Sequence, residues 1–156
     1  MIHVVITKTF MKHIIREQYV PFKVHQIFDL VNDTEGYADF VPFCVQGKVI
    51  KDHGLERVAS LSFGYHGLCQ TIKTHNVAKP YERIDVTLLE GPFDQLNGSW
   101  EFEPVVGEYG ARVRVEFKYE LSTGWLAMAF EPIFEQVLGQ MISCFCDEAE
   151  KRYGKV

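Results

Sequence analysis

Between residues 110 and 121 the chain alternates without a break. Val113, Val115, Phe117, Tyr119 and Leu121 fall on one side, and Arg112, Arg114, Glu116, Lys118 and Glu120 fall on the other. A period of two describes a strand with one buried face and one wet face, so an apolar layer must be covered by something else. The cover follows at once. Residues 124–152 place Leu126, Phe130, Ile133, Phe134, Val137, Leu138, Met141, Ile142, Phe145 and Ala149 in a broad stripe at helical spacing. A half-buried strand followed by one long amphipathic helix confines the chain to sheet-on-helix packing.

The remaining segments agree. Residues 43–52, 56–64, 68–77, 81–89 and 93–103 repeat the period of two, with Gly, Pro or Asp between them and short connections, the pattern of an antiparallel meander. Ahead of them, Ile14, Arg16, Gln18 and Val20 alternate against Ile15, Glu17 and Tyr19 in a first strand that Pro21 ends. In residues 23–31, Val24, Ile27, Phe28 and Val31 share one helical face, and a second short helix around 34–41 carries Tyr37, Phe40 and Val41 before Pro42 stops it. Asp33 and Glu35 are expected to serve as capping residues at that helix start. Pro132 is expected to bend or split the last helix, and Gly154 to end it.

The expected fold class is therefore α+β: a seven-stranded curved antiparallel sheet wrapped around a long C-terminal helix, with two short helices after strand 1. A curved sheet does not press on a cylinder across its whole width, so a gap lined by inward side chains is expected. The length of 156 residues suits one domain. Residues 1–10 are set apart as an N-terminal extension to a single domain at 11–156, and Met11 is an alternative start.

Charge and motifs narrow the function. A net charge of −5 argues against a general nucleic-acid binder. No apolar run reaches the ~20 residues that span a bilayer, and the N-terminus has no secretory or transit-peptide character. The expected location is the cytoplasm. Cys44, Cys69, Cys144 and Cys146 form neither a C-x-x-C nor a zinc pattern, and the last two point to different helix faces, so reduced thiols and no metal site are expected. Histidines 3, 13, 25, 53, 66 and 75 are scattered, with His66 in a glycine-flanked turn. Glu90 before Gly91-Pro92 reads as a turn residue. No nucleophile, metal or phosphate-loop signature occurs, so a non-enzymatic role is expected.

Aromatic residues make up 13% of the chain. Phe63, Phe93, Trp100, Phe102, Phe117 and Tyr119 come from several strands, opposite Phe130, Phe134, Met141 and Phe145 on the helix. Such a set either fills a core or lines a cavity.

Several stretches resemble a known family: IFDLVNDTEGYADFVPFC (27–44), ASLSFGYHG (59–67), LLEGPFDQLNGSWEFEP (88–104), VRVEFKYEL (113–121) and CDEAEKRYG (146–154). Together they resemble the coenzyme Q-binding branch of the START-like (polyketide cyclase-like) helix-grip proteins, which includes the bacterial ribosome-association toxins RatA. Gly91-Pro92-Phe93 followed by Leu96, Gly98, Trp100 and Phe102 is the most specific part. Glu90 stands where the family most often has Asp, and Ala38 follows Tyr37 where Pro is usual.

The resemblance implies a hydrophobic tunnel that holds ubiquinone or a related isoprenoid lipid, with no other cofactor. Phe63, Gln70, Phe93, Trp100, Phe102, Phe117, Tyr119, Phe130, Phe134 and Met141 are the expected lining. Gln70, Trp100 and Tyr119 are the candidate donors to a quinone carbonyl. It implies, as an alternative, association with the large ribosomal subunit and a block on subunit joining, for which Arg112, Arg114 and Lys118 are the candidate contact patch. A small ubiquitin-like antitoxin-type protein is the implied partner, and transient contact with the inner membrane the implied route to a lipid.

Overall fold

The structure, a computed structural model, describes residues 11–154; the expected extension at 1–10 lies outside the described residues. In chain order the elements are β1 (Lys12–Val20), α1 (Val24–Asn32), a 3-10 helix (Thr34–Asp39), β2 (Cys44–Asp52), β3 (Glu56–Tyr65), β4 (Leu68–Lys79), β5 (Arg83–Glu90), β6 (Phe93–Pro104), β7 (Ala111–Leu121), α2 (Trp125–Gly139) and α3 (Met141–Tyr153). The seven strands form one antiparallel sheet in the order β1-β7-β6-β5-β4-β3-β2. Strands β2 to β7 are a meander. The segment containing α1 and the 3-10 helix carries the chain from the β1 edge to the β2 edge. Bulges in β2 and at the start of β6 interrupt the register, and such insertions increase local twist and bend the sheet.

The helices α2 and α3 lie in the concave face. Val113, Val115, Phe117, Tyr119 and Leu121 are all buried there, as are Phe130, Phe134, Val137, Leu138 and Phe145 from the helices. The expected single long helix is two. The break falls at Gln140 (φ −105°, ψ 6°), and α2 continues past Pro132 without a split. Pro132 stands on the exposed side, where the carbonyl that its missing N–H leaves unpaired is open to solvent. Gly139 is the weak helix former beside the actual break. Gly154, with φ 85°, ends α3 as expected.

The expected capping by Asp33 does not occur. Its backbone N–H closes α1 on the Leu30 carbonyl, and its carboxylate lies 3.9 Å from the Arg152 guanidinium on α3. Two glycines explain themselves by close approach. A Cβ on Gly98 would stand 2.3 Å from the Phe117 ring, its cross-strand partner. A Cβ on Gly47 would stand 2.1 Å from the Thr34 carbonyl, where the 3-10 helix rests on β2.

Lys12 at the start of β1 bonds to both Glu131 and Glu135 of α2, fastening the first strand to the penultimate helix. Among the described residues no helix is long and apolar enough to cross a membrane.

The four cysteines are free thiols; Cys44 and Cys144 are buried, Cys146 is half-buried and Cys69 is exposed. Burial pushes the Cys44 and Cys146 thiols up to about 11 and Cys144 up to about 12. Native protein at pH 8 is expected to react rapidly with a thiol reagent at Cys69 alone, and at all four positions once unfolded. Peptide mapping after a timed pulse checks this. The unfolded chain gives up these protons first, so the stabilisation from neutral buried thiols is intact below the ordinary thiol value near 8.5 and is lost as pH climbs through about 11 to 12. An alkaline denaturation series reads that loss.

Candidate ligand-binding cavity

Between the sheet and the helices lies a cavity of about 80 Å³, several times the roughly 10–15 Å³ that one buried water needs. Its long wall is built by register. On β3 the inward residues are Arg57, Ala59, Leu61 and Phe63; on β4, Asn76, Thr74 and Ile72 stand directly opposite the first three. Ile84, Val86, Leu96, Trp100 and Phe117 continue the wall across β5 to β7. Phe134, Val137, Leu138 and Met141 supply the helical side, and Val31, Asn32, Thr34 and Tyr37 the cover.

The rows change character along the strands. Arg57 with Asn76 comes first, then Ala59 with Thr74, then Leu61 with Ile72, then Phe63. At about 3.3 Å per residue this gradient from polar to apolar extends over about 20 Å.

The polar end is hydrogen-bonded. The Arg57 guanidinium donates to the Asn32 carbonyl (3.0 Å) at the last residue of α1, and to the Asp52 carboxylate (3.3 Å). Thr74 donates to the Asn76 side-chain oxygen at 2.8 Å. The Gly54 N–H, and after it Arg57, hold the Asp52 carboxyl below the usual carboxylate range. The cover is pinned twice more. The buried Tyr37 hydroxyl donates to the Val31 carbonyl, its pKa driven upward by burial, and Arg152 reaches Asp33 from α3. No histidine, carboxylate, lysine or cysteine is among the described lining residues. Arginine stays protonated, so the cavity wall offers hydrogen bonds and apolar surface without a general base. No group of possible metal ligands occurs among the described residues.

Of the residues expected to line a cavity, Phe63, Trp100, Phe117, Phe134 and Met141 do so. The others are elsewhere. Phe93, Tyr119 and Phe130 close a separate aromatic cluster around Phe134, with Phe93 and Tyr119 each 5.0 Å from it between ring centres. Phe102 stacks beside Trp100 at 6.2 Å and meets Phe28 edge-on. Gln70 faces Phe63 across the strands but is half-exposed and lies off the cavity wall. Thus of the three proposed donors only Trp100 reaches the wall. The Tyr119 hydroxyl is fully buried with no hydrogen-bond partner among the described residues.

Arg57, Thr74 and Asn76 were missed. Their signal was present: Arg57 occupies the inward phase of a strand whose next inward residues are Ala59, Leu61 and Phe63. A charged residue in an apolar phase is costly unless it has partners.

On the outer face, the expected basic patch is neutralised. Arg112 pairs with Glu17 at 3.3 Å. Arg114 pairs with Glu116 at 3.1 Å and Glu101 at 3.4 Å, and reaches Glu17 at 4.0 Å. Arg83 adds Asp85 and Glu101, and Glu116 also meets His13. Lys118 is exposed and forms no ion pair among the described residues. The face is a mosaic of both signs.

Comparison with known proteins follows the same lines. Residues 20–146 match the family described as polyketide cyclase / dehydrase and lipid transport. The ribosome association toxin RatA of Vibrio cholerae is 32% identical over 93% of this chain and 100% of that protein. The mitochondrial coenzyme Q-binding protein coq10 of Schizosaccharomyces pombe is 26% identical over 86% of this chain and 84% of that one. Among solved structures, the Zhui aromatase/cyclase from Streptomyces sp. R1128 superposes with a TM-score of 0.79 at 17% identity, covering 92% of this chain and 96% of that one. That likeness speaks to the fold alone.

Proposed function

Because this chain belongs to the polyketide cyclase / dehydrase and lipid transport family, in the branch that holds the RatA toxins and the coenzyme Q-binding proteins, we propose that it binds an isoprenoid lipid of the ubiquinone class without transforming it. The observation that carries this reading is the cavity itself, polar at Arg57 and Asn76 and apolar from Leu61 to Phe63. Moving a five-carbon isoprene unit out of water gains up to about 4 kcal/mol. A quinone leaves a bilayer that is already apolar, so that gain nearly cancels. Selectivity then falls to cavity shape and to the few polar contacts at its end. The void of about 80 Å³ is smaller than a prenylated quinone, so on this reading occupancy requires the cover, formed by the end of α1 and the 3-10 helix, to move outward.

Trp100 lies in the wall, and quinones quench tryptophan emission. Titration with a short-chain ubiquinone is expected to quench Trp100 saturably, with Trp125→Phe removing the exposed background, and native mass spectrometry of purified protein is expected to show retained lipid. No retained lipid together with no saturable quenching overturns the reading.

A second reading has its own support. The Vibrio relative, named for ribosome association, aligns over nearly the whole chain. We infer as the alternative that the protein associates with the large ribosomal subunit in the cytoplasm and blocks subunit joining, with a small ubiquitin-like protein as its antagonist. With Arg112 and Arg114 already paired, the contact on this reading carries few free cations, and its affinity is expected to fall only shallowly with salt. Sedimentation with large subunits across a salt series measures the slope; absence of co-sedimentation at low salt removes this reading.

A further inference from the structure

We propose that Arg57 and Asn76 form a two-point donor clamp that selects a ligand whose head group carries hydrogen-bond acceptors and no obligatory donors. The inference rests on the ligand-binding reading above and narrows the class of ligand.

The two residues are direct cross-strand partners on the inner face of β3 and β4, and both line the cavity. Directly opposed side chains start about 5 Å apart, a spacing that lets one head group touch both. Their hydrogen-bond ledgers point the same way. Of the five N–H groups of a guanidinium, Arg57 commits one to the Asn32 carbonyl and one to Asp52; the rest remain to donate. The Asn76 oxygen accepts from Thr74, so its NH₂ group is the part left to donate.

Acceptors at this end are scarcer. The Asn32 carbonyl already accepts from Arg57, and the bonds from Gly54 and Arg57 to Asp52 both fall on Oδ1 of a carboxylate that stands outside the cavity lining. At the wall itself the acceptors left are the threonine hydroxyls and the amide oxygens of Asn32 and Asn76, the latter already accepting from Thr74. A head group of carbonyl or carboxylate oxygens is met by donors. One that must donate loses its water partners and finds few replacements, and the mismatch is worth about tenfold or more in affinity.

Four probes with one decyl chain test this: a benzoquinone, its quinol, decanoate and decylamine, each titrated into the full-length protein and read by tryptophan fluorescence or calorimetry. The quinone and decanoate are expected to bind at least about tenfold more tightly than the quinol and the amine. Arg57→Met combined with Asn76→Leu is expected to bring the four together, whereas Arg57→Lys, which keeps a donor, is expected to retain the order. Thermal melts establish that each variant is folded.

Equal affinity for all four heads in the native protein overturns the clamp and leaves the lipid reading standing, as does an order unchanged by the double substitution. Binding of none of the probes overturns the lipid reading and the clamp together. A stronger grip on decanoate than on the quinone assigns the head group to the carboxylate class; the reverse assigns it to the neutral dicarbonyl class.

Discussion

Phe145→Ala is expected to lower the unfolding free energy by about 3–5 kcal/mol, the largest loss anticipated for a single truncation in this chain. Phe145 is completely buried on α3. Its ring centre lies 5.1 Å from Tyr37, 5.0 Å from Phe40 and 5.2 Å from Trp100, each met edge-on. One side chain thus joins the last helix, the cover and the sheet, and no single neighbour can relax into the space it would leave. For a domain of this size about 2–4 °C of melting temperature is lost per kcal/mol, so a fall on the order of 10 °C is expected in a thermal scan. Trp125, equally aromatic but 75% exposed at the start of α2, supplies the contrast. Its replacement by alanine is expected to move the midpoint by no more than about 2 °C. A Phe145→Ala loss below about 1 kcal/mol in urea titration would mean that the cover is held by other contacts.

The second large effect is on binding. Ala59→Phe is expected to abolish lipid binding, by about hundredfold or more, equivalent to about 3 kcal/mol. Ala59 is 1% exposed and lies midway along the inner row, opposite Thr74 and between Arg57 and Leu61. A benzyl group projected from there enters the void of about 80 Å³, so the larger ring has somewhere to go, and the cost to folding stays near the about 1–3 kcal/mol of ordinary overpacking. Urea titration beside the fluorescence assay separates the two quantities. Undiminished binding in a folded Ala59→Phe protein would place the lipid outside this cavity.

The sheet was legible in the sequence because its signal is local. Alternation in residues 113–121 fixed the inward face of β7, and the buried set there is the one the pattern names. The helix break was misplaced because proline chemistry is local and exposure is not. Pro132 is tolerated where water reaches the helix, and the interruption comes at Gln140. The cavity was legible by residue type on the sheet side for Phe63, Trp100 and Phe117. It was illegible for Phe93, Tyr119 and Phe130, since facing inward does not say which of two neighbouring clusters a ring will join. The polar end required knowing that Asn76 stands opposite Arg57, a fact of strand register that no single segment carries. The outer arginines show the same limit: within its own strand Arg114 has only Glu116 beside it, and it meets Glu17 and Glu101 across the sheet.

The pairing of β1 with β7 sets a timetable for the molecule during synthesis. Lys12 finds Tyr119 as its strand partner and Glu131 and Glu135 as its ionic partners, so β1 waits for β7 and α2 to leave the exit tunnel. Until α2 and α3 emerge, the concave side of the meander is bare and prone to stray association. Contacts this distant along the chain slow the final collapse. The domain is therefore expected to close in one late cooperative step, once β7 and α2 are available for β1 to dock on.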